Sequence, residues 1–329
     1  MNKNVIQKRK FFYYLINTLS LLIPSTIKQM LLNRELKKIS RFDARYIETR
    51  VNYYFQRNKR FEIGSSAINH KGLLNRQIRK FKENIIQKKR TKKRTTYFFD
   101  LYNFLSFFNS NNKVEIKFGD ITQGFSNPVI VKSRPIKDGS NSIILKLNKI
   151  RHFYFLNDPI KFADKKDIAV WRGNANNSEL RHFFIKNYHA VSIFDIGQHG
   201  PKIDEPYFKG FMPIEQQLNY KFIFCIEGAD TATNLKWVMS SHSVCVMPRP
   251  KFETWFMEGR LKAGVHYIEV KNDFSDAEKK ILSFLDKPNE CLEIIRNANQ
   301  FVMQFKNHKR ERLINLMVLD KYFRLSNQK

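Results

Sequence analysis

The sequence predicts an α/β protein organised around a parallel sheet. From Asp167 onward, short β-branched or aromatic runs alternate with stretches of helical spacing, which is the rhythm of βαβ units. Those runs are apolar at nearly every position, Phe222 to Ile226 being one, as strands covered on both faces require. A chain of 329 residues also has the length for two ordinary domains or one large one, each with a substantial core.

The elements follow in order. Ile27 to Ile39 spaces its apolar residues by three and four, predicting an amphipathic helix, and Arg76 to Arg94 predicts a basic helix or tether. After Asn112 the texture changes to short runs, Val114 to Phe118, Val129 to Lys132 and Ser142 to Leu147, punctuated by Asn127-Pro128 and Asp138-Gly139. The alternation then predicts strands at 168–171, 190–194, 222–226, 243–247 and 265–270. Helices are expected at 177–186, 214–219, 233–240, 253–261 and 276–285, with 291–305 and 311–323 closing the chain.

Charge is distributed unevenly. The 59 Lys and Arg against 30 Asp and Glu leave a net +29. Residues 1–100 alone hold 25 basic and 6 acidic side chains, with Lys88-Lys89-Arg90 and Lys92-Lys93-Arg94 nearly contiguous. Such a run is either a solvated face or a contact with something polyanionic: a leaflet, a phosphorylated glycolipid or nucleic acid. Cys225, Cys245 and Cys291 are scattered, with no CxxC pair, which argues against a disulfide framework or a zinc site and suits a reducing compartment. No run reaches the roughly 18–20 apolar residues that span a bilayer. The longest, Phe11 to Pro24, is 14 residues interrupted by Asn17, Thr18 and Ser20. Its Lys8-Arg9-Lys10 prefix looks like a signal-peptide start, but no small-x-small cleavage site follows, so an uncleaved interfacial or core helix is expected.

Three stretches carry candidate chemistry. Residues 221–248 form an apolar strand, a turn at Gly228, a polar cluster of Asp230, Thr231 and Thr233, a helix with Lys236, and a second apolar strand. Ligands of open α/β sheets settle at the carboxyl ends of strands, so this turn suits a phosphate, although any βαβ turn carries a Gly and a capping Thr. Trp171-Arg172-Gly173-Asn174 ends a strand before a helix; Arg172 suits phosphate oxygens or an internal ion pair, and Arg181 follows further along. In residues 251–267, Glu253 is placed to accept from a sugar hydroxyl, and His266 is either a core or a site histidine. No P-loop, no G-x-G-x-x-G, no H-E-x-x-H and no Asp-x-Asp occurs, so no metal site is expected and basic groups must carry any diphosphate charge.

Taken together, the motifs resemble glycosyltransferase family 90, most closely its bacterial lipopolysaccharide core branch, which is related to eukaryotic protein O-glucosyltransferases. They are Val51-Asn52-Tyr53-Tyr54, Val131 to Ile136, Leu147-Asn148-Lys149 with Arg151-His152-Phe153, Val170-Trp171-Arg172-Gly173, Ile226-Glu227-Gly228, Asn234-Leu235-Lys236-Trp237, Glu253-Thr254-Trp255-Phe256 and Gly264-Val265-His266-Tyr267. They run in order over roughly residues 50 to 290.

The resemblance implies a GT-B architecture, two Rossmann-like domains facing a cleft, with a basic helical N-terminal segment. It divides the chain into that segment (1–100, membrane and acceptor side), the rest of the acceptor domain (101–165), a nucleotide-sugar domain (166–306) and a C-terminal helix (307–329). It implies inverting, metal-independent transfer of glucose or galactose from a UDP-sugar to a lipopolysaccharide or lipooligosaccharide core acceptor, with no cofactor. Asp120 matches the general base, although Gly119 stands where eukaryotic members have Arg. The donor would meet Arg172, Gly173, Gly228, Thr231, Thr233, Asn234, Lys236, Glu253 and His266; Asn234 replaces an arginine of eukaryotic members. The basic third would hold the enzyme to an anionic surface on the cytoplasmic face of the inner membrane, each Lys or Arg contributing about 1 kcal/mol. Charge and aromatic content also suit a nucleic-acid-binding protein, but no RNP, KH or zinc-knuckle signature accompanies them. An inactive scaffold and a glycosyltransferase with another polysaccharide or protein acceptor complete the alternatives.

Overall fold

The computed structural model describes residues 3–86, 95–176, 178–200 and 204–329. The Lys88–Arg90 and Lys92–Arg94 tracts and the expected helix start at Asn177 lie outside them. The chain divides into two compact units: residues 8–150 with 307–329, and residues 151–306 with the first seven residues.

The first unit is mainly helical. Its helices are α1 (Lys3–Leu21), α2 (Ser25–Leu36), α3 (Ala44–Tyr54), α4 (His70–Ile86) and α5 (Thr95–Leu105), followed by the short strands β1 (Val129–Val131), β2 (Ser133–Pro135) and β3 (Ser142–Ile144). Strands β1 and β3 pair in parallel, with Val129 opposite Ser142. The expected strand at 114–118 is reduced to isolated bridges, Val114 with Ile68 and Ile116 with Ile130. Helix α3 begins at Asp43, whose side chain accepts from the Tyr46 amide. It packs on the helix His308–Leu325 around a buried charge cluster: Glu311 lies 3.2 Å from Arg50 and 3.6 Å from Lys146.

The second unit opens with the short helix α6 (Lys149–His152), which spans the boundary, and is built on a five-stranded sheet. The chain runs β4 (Lys166–Gly173), α7 (Glu179–Tyr188), β5 (Phe194–Gln198), α8 (Ile214–Gln217), β6 (Tyr220–Phe224), α9 (Leu235–Val238), β7 (Val244–Met247), β8 (Phe252–Thr254), β9 (Ile268–Glu269), α10 (Ala277–Leu285) and α11 (Pro288–Met303). The order across the sheet is β5-β4-β6-β7-β9, every pairing parallel. The parallel sheet expected from the sequence is therefore present. Phe222, Ile223, Phe224, Val244 and Val246 are wholly buried, which explains their unbroken apolar character. Phe184 of α7 plugs the sheet against Phe224 and Phe274, with ring centroids 4.8 and 4.5 Å away, and truncating such a residue costs about 3–5 kcal/mol.

Two elements differ from expectation. The strand expected at 190–194 lies at Phe194–Gln198, because α7 continues to Tyr188 and Gly197 obscures the run; the side chain of Lys209 covers that glycine. Residues 253–261, expected as a helix, form β8, a left-handed Met257 (φ 58°) and a 3-10 turn at Glu258–Arg260. Glu258 accepts from the Thr254 amide at 2.6 Å, and the Thr254 hydroxyl receives the Phe256 amide, so side chains take the bonds a helix would have used.

Candidate functional site

In the second unit, β4 leads to β5 on one side, and the chain then returns to place β6 on the other side of β4. The connections leaving β4 and β6 thus diverge, and ligands of open parallel sheets occupy the crevice outside such a switch point. Trp171-Arg172-Gly173 ends β4, and Cys225 to Asn234 follows β6.

Arg181 ties these two loops together. It donates Nε and Nη2 to the Ile226 carbonyl, at 3.1 and 2.8 Å, and Nη1 to the Asn174 carbonyl at 3.2 Å. Ser178 caps α7 through the Arg181 amide and donates its hydroxyl to the Glu227 carbonyl at 3.2 Å. The guanidinium lies so close to Gly228 that a Cβ there would stand 3.1 Å from its Cζ. Burial and the neighbouring Arg151 charge lower its pKa, against Asp230, Cys225 and Glu227. Arg181 was only the second candidate of its segment; its place follows from an i+3 cap and a tertiary contact 45 residues away.

Beside this lies a pocket whose walls include Glu227, Thr231, Leu235, Lys251, Glu258 and Asn272. Thr231 is buried there, and its hydroxyl has no hydrogen-bond partner among the described residues. Glu227 accepts from the amides of Lys251 and Phe252, at 3.1 and 3.2 Å. Burial nevertheless pushes its carboxyl up to about 7, with Glu258 adding to the effect. Sequence reasoning missed Glu227 as a site residue, although Ile226-Glu227-Gly228 had been singled out as a motif.

The remaining expected residues fall into different settings. Gly228, Thr231, Thr233 and Asn234 lie on the loop after β6, and Asn234 donates to the Phe224 carbonyl at 2.9 Å. Gly173 ends β4, where a Cβ would collide with the Trp171 ring at 2.4 Å. Arg172 turns to the adjacent strand: it pairs with Asp195 at 2.7 Å and donates to the Asp195 carbonyl at 2.7 Å. Burial pushes Asp195 up, but hydrogen bonds from Tyr220, Arg172 and Lys209 hold its carboxyl at about 2. Lys236 does not present a free charge to the pocket. Helix α9 is buried throughout, and the ammonium is paired at 2.5 Å with Glu258, itself a pocket wall. Glu253 is buried on β8. His266 accepts from the Lys262 amide at 2.9 Å and packs on Phe301, outside the pocket walls; burial and Lys262 lower its pKa. Asp120 belongs to the other unit. It follows Gly119 (φ 125°), is exposed, and receives the buried Lys132 ammonium at 2.7 Å. Among the described residues, no three His, Cys, Asp or Glu side chains converge as a metal site would need.

The sequence model of glycosyl transferase family 90 matches residues 146–329, which takes in the sheet, the switch point and the pocket. An O-glucosyltransferase, LpsA of Dichelobacter nodosus, is 43% identical over 236 residues, covering 71% of this chain and 74% of that protein. The chain belongs to glycosyltransferase family 90. Two viral proteins are also similar over shorter stretches. Uncharacterized protein 179R of Invertebrate iridescent virus 6 is 27% identical over 47% of this chain, and uncharacterized protein 027R of Frog virus 3 (isolate Goorha) is 32% identical over 40%. Each match spans 13% of the viral protein.

Proposed function

We propose that this glycosyltransferase moves a hexose, glucose in the first instance, from a UDP-sugar to a hydroxyl of a lipopolysaccharide or lipooligosaccharide core. The observation that carries the donor half is the pocket after β6 in a family 90 chain, at a sheet switch point, with the unpartnered Thr231 hydroxyl in its wall and Gly228 under Arg181 beside it. Glucose rests on the similarity to the O-glucosyltransferase LpsA, and the lipopolysaccharide acceptor on the resemblance of the sequence motifs to the bacterial core branch.

In this reading the architecture is GT-B, with residues 151–306 taking the donor and residues 8–150 the acceptor. Asp120 removes the proton from the acceptor hydroxyl as its oxygen attacks the anomeric carbon. The bond from that carbon to the diphosphate breaks, and the configuration inverts. Arg181 and the amides around Gly228 face the leaving diphosphate, whose charge they stabilise without a metal. Gly173, Thr231, Thr233 and Asn234 shape the loops, while Arg172 and Lys236 are held in ion pairs with Asp195 and Glu258 and Glu253 is buried on β8. The enzyme would act on the cytoplasmic face of the inner membrane, against anionic lipid.

The test is calorimetric titration with UDP, UDP-glucose and UDP-galactose in EDTA, followed by transfer to core oligosaccharide. Saturable binding with UDP-glucose preferred supports the reading. Absence of binding by folded protein, or activity that returns only with Mn²⁺, would overturn the UDP donor or the metal-free mechanism respectively.

A further inference from the structure

Helices α1 and α2 expose many large apolar side chains while burying polar ones. The stripe α1 turns inward is polar: the Tyr13 hydroxyl donates to Asp100 at 2.8 Å, Ser20 donates to Asn103 at 2.6 Å, and Asn103 donates to Asn17. On α2, Lys28 is buried beside Leu32 and donates to the Ser20 carbonyl at 2.9 Å, and Gln29 donates to the Phe108 carbonyl at 2.9 Å. The outward side is apolar. Phe11, Phe12 and Ile16 on α1, Leu22 at the turn, and Ile27 and Met30 on α2 are all exposed, Leu22 by 76% and Met30 by 80%. Large exposed apolar side chains gathered on two successive helices mark a face that another apolar phase covers.

We propose that the α1–α2 pair is a monotopic membrane wedge, which inserts its apolar side into one leaflet of an anionic bilayer without crossing it. No single described helix is long and apolar enough to span a membrane; the two reach that length and apolarity only as a pair, and the pair is bent by 104° at the break around Pro24. The wedge therefore reaches into the boundary between headgroups and acyl chains, the usual depth of such helices. Charge selects the occupant. Residues 1–42 carry nine basic side chains and one acidic, Glu35. Exposed Lys8, Lys10, Arg34 and Lys37 flank the apolar residues at both ends. A second copy of this chain would set like charge against like, whereas an anionic leaflet supplies the opposite sign. The wedge deepens the proposed membrane setting into a specific device, and it stands on geometry that involves neither the donor pocket nor the transfer reaction.

The test is sedimentation of the full chain with vesicles of phosphatidylcholine containing phosphatidylglycerol, with neutral phosphatidylcholine vesicles beside them. The wild type is expected to bind the anionic vesicles. Replacing Phe12→Gln, Ile16→Gln and Leu22→Gln together should weaken binding by about tenfold or more. Calorimetric UDP-glucose binding by that variant reports on the donor pocket independently, so the two readings fail separately. In an otherwise native chain, Phe12→Trp should be quenched by brominated acyl chains and not by aqueous iodide. Undiminished vesicle binding by the triple variant would reduce the contact to charge alone and overturn insertion. So would a Trp at position 12 that stays open to iodide on the vesicle. A wild type that ignores vesicles but forms a dimer, which the triple variant dissolves, would assign the face to a second copy.

Discussion

The guanidinium of Arg181 is doubly bonded to the Ile226 carbonyl and covers Gly228, so one side chain fixes the loops after β4 and β6 together. Gly228→Ala places a methyl group where the guanidinium must yield by a few tenths of an ångström. Its stability cost should be small, about 1 kcal/mol. Donor affinity should fall more noticeably, about 3- to 10-fold, because the displaced cation belongs to the proposed diphosphate site. Arg181→Ala should weaken donor binding at least as much. Calorimetry with UDP-glucose beside a thermal melt measures both effects, and unchanged affinity in Arg181→Ala would remove it from the donor site.

Lys236 and Glu258 form a buried pair, so removing either alone strands a charge. Lys236→Met should cost about 3–5 kcal/mol in urea unfolding, and adding Glu258→Gln should recover much of it. A recovered double variant that still binds UDP-glucose would confirm that Lys236 builds the pocket wall; one that is stable but cannot bind would return Lys236 to the phosphates.

Glu227 gives the pocket a pH dependence. Below about 7 its carboxyl is mostly protonated and neutral; above that it is an anion in the pocket wall. The diphosphate of UDP-glucose keeps a constant charge from pH 6 to 8, so its affinity should fall as pH rises, by about 3- to 10-fold. Glu227→Gln should flatten the profile. A flat profile in the wild type would place the diphosphate out of reach of Glu227.

Asp120→Asn tests the base. Transfer should drop by about 10²–10⁴-fold while UDP-glucose affinity stays within a few-fold, and full turnover in the variant would move the base elsewhere.

The parallel sheet was legible because its strands are buried on both faces, and Phe222 to Ile226 admits little else. The 253–261 segment was not, because its conformation depends on Glu258 reaching back to Thr254 and on its pairing with Lys236, 22 residues earlier. The loop after β6 was recognisable from Gly228 and its threonines. The partners of the charged groups were not. Arg172 and Lys236 have the residue types of phosphate ligands, and nothing local shows that Asp195 and Glu258 fold against them. Arg181 was understated for the converse reason, since its hydrogen-bond partners are backbone carbonyls that carry no mark in a sequence.

Glu311 settles the order in which the two halves can mature. Arg50 and Lys146 are translated well before the carboxylate that neutralises them, and all of residues 151–306 emerges in between. The sheet unit is contiguous apart from seven residues, and it can close on the ribosome as soon as α11 emerges. The helical unit, although synthesised first, is completed only when the helix His308–Leu325 brings Glu311 to Arg50 and Lys146.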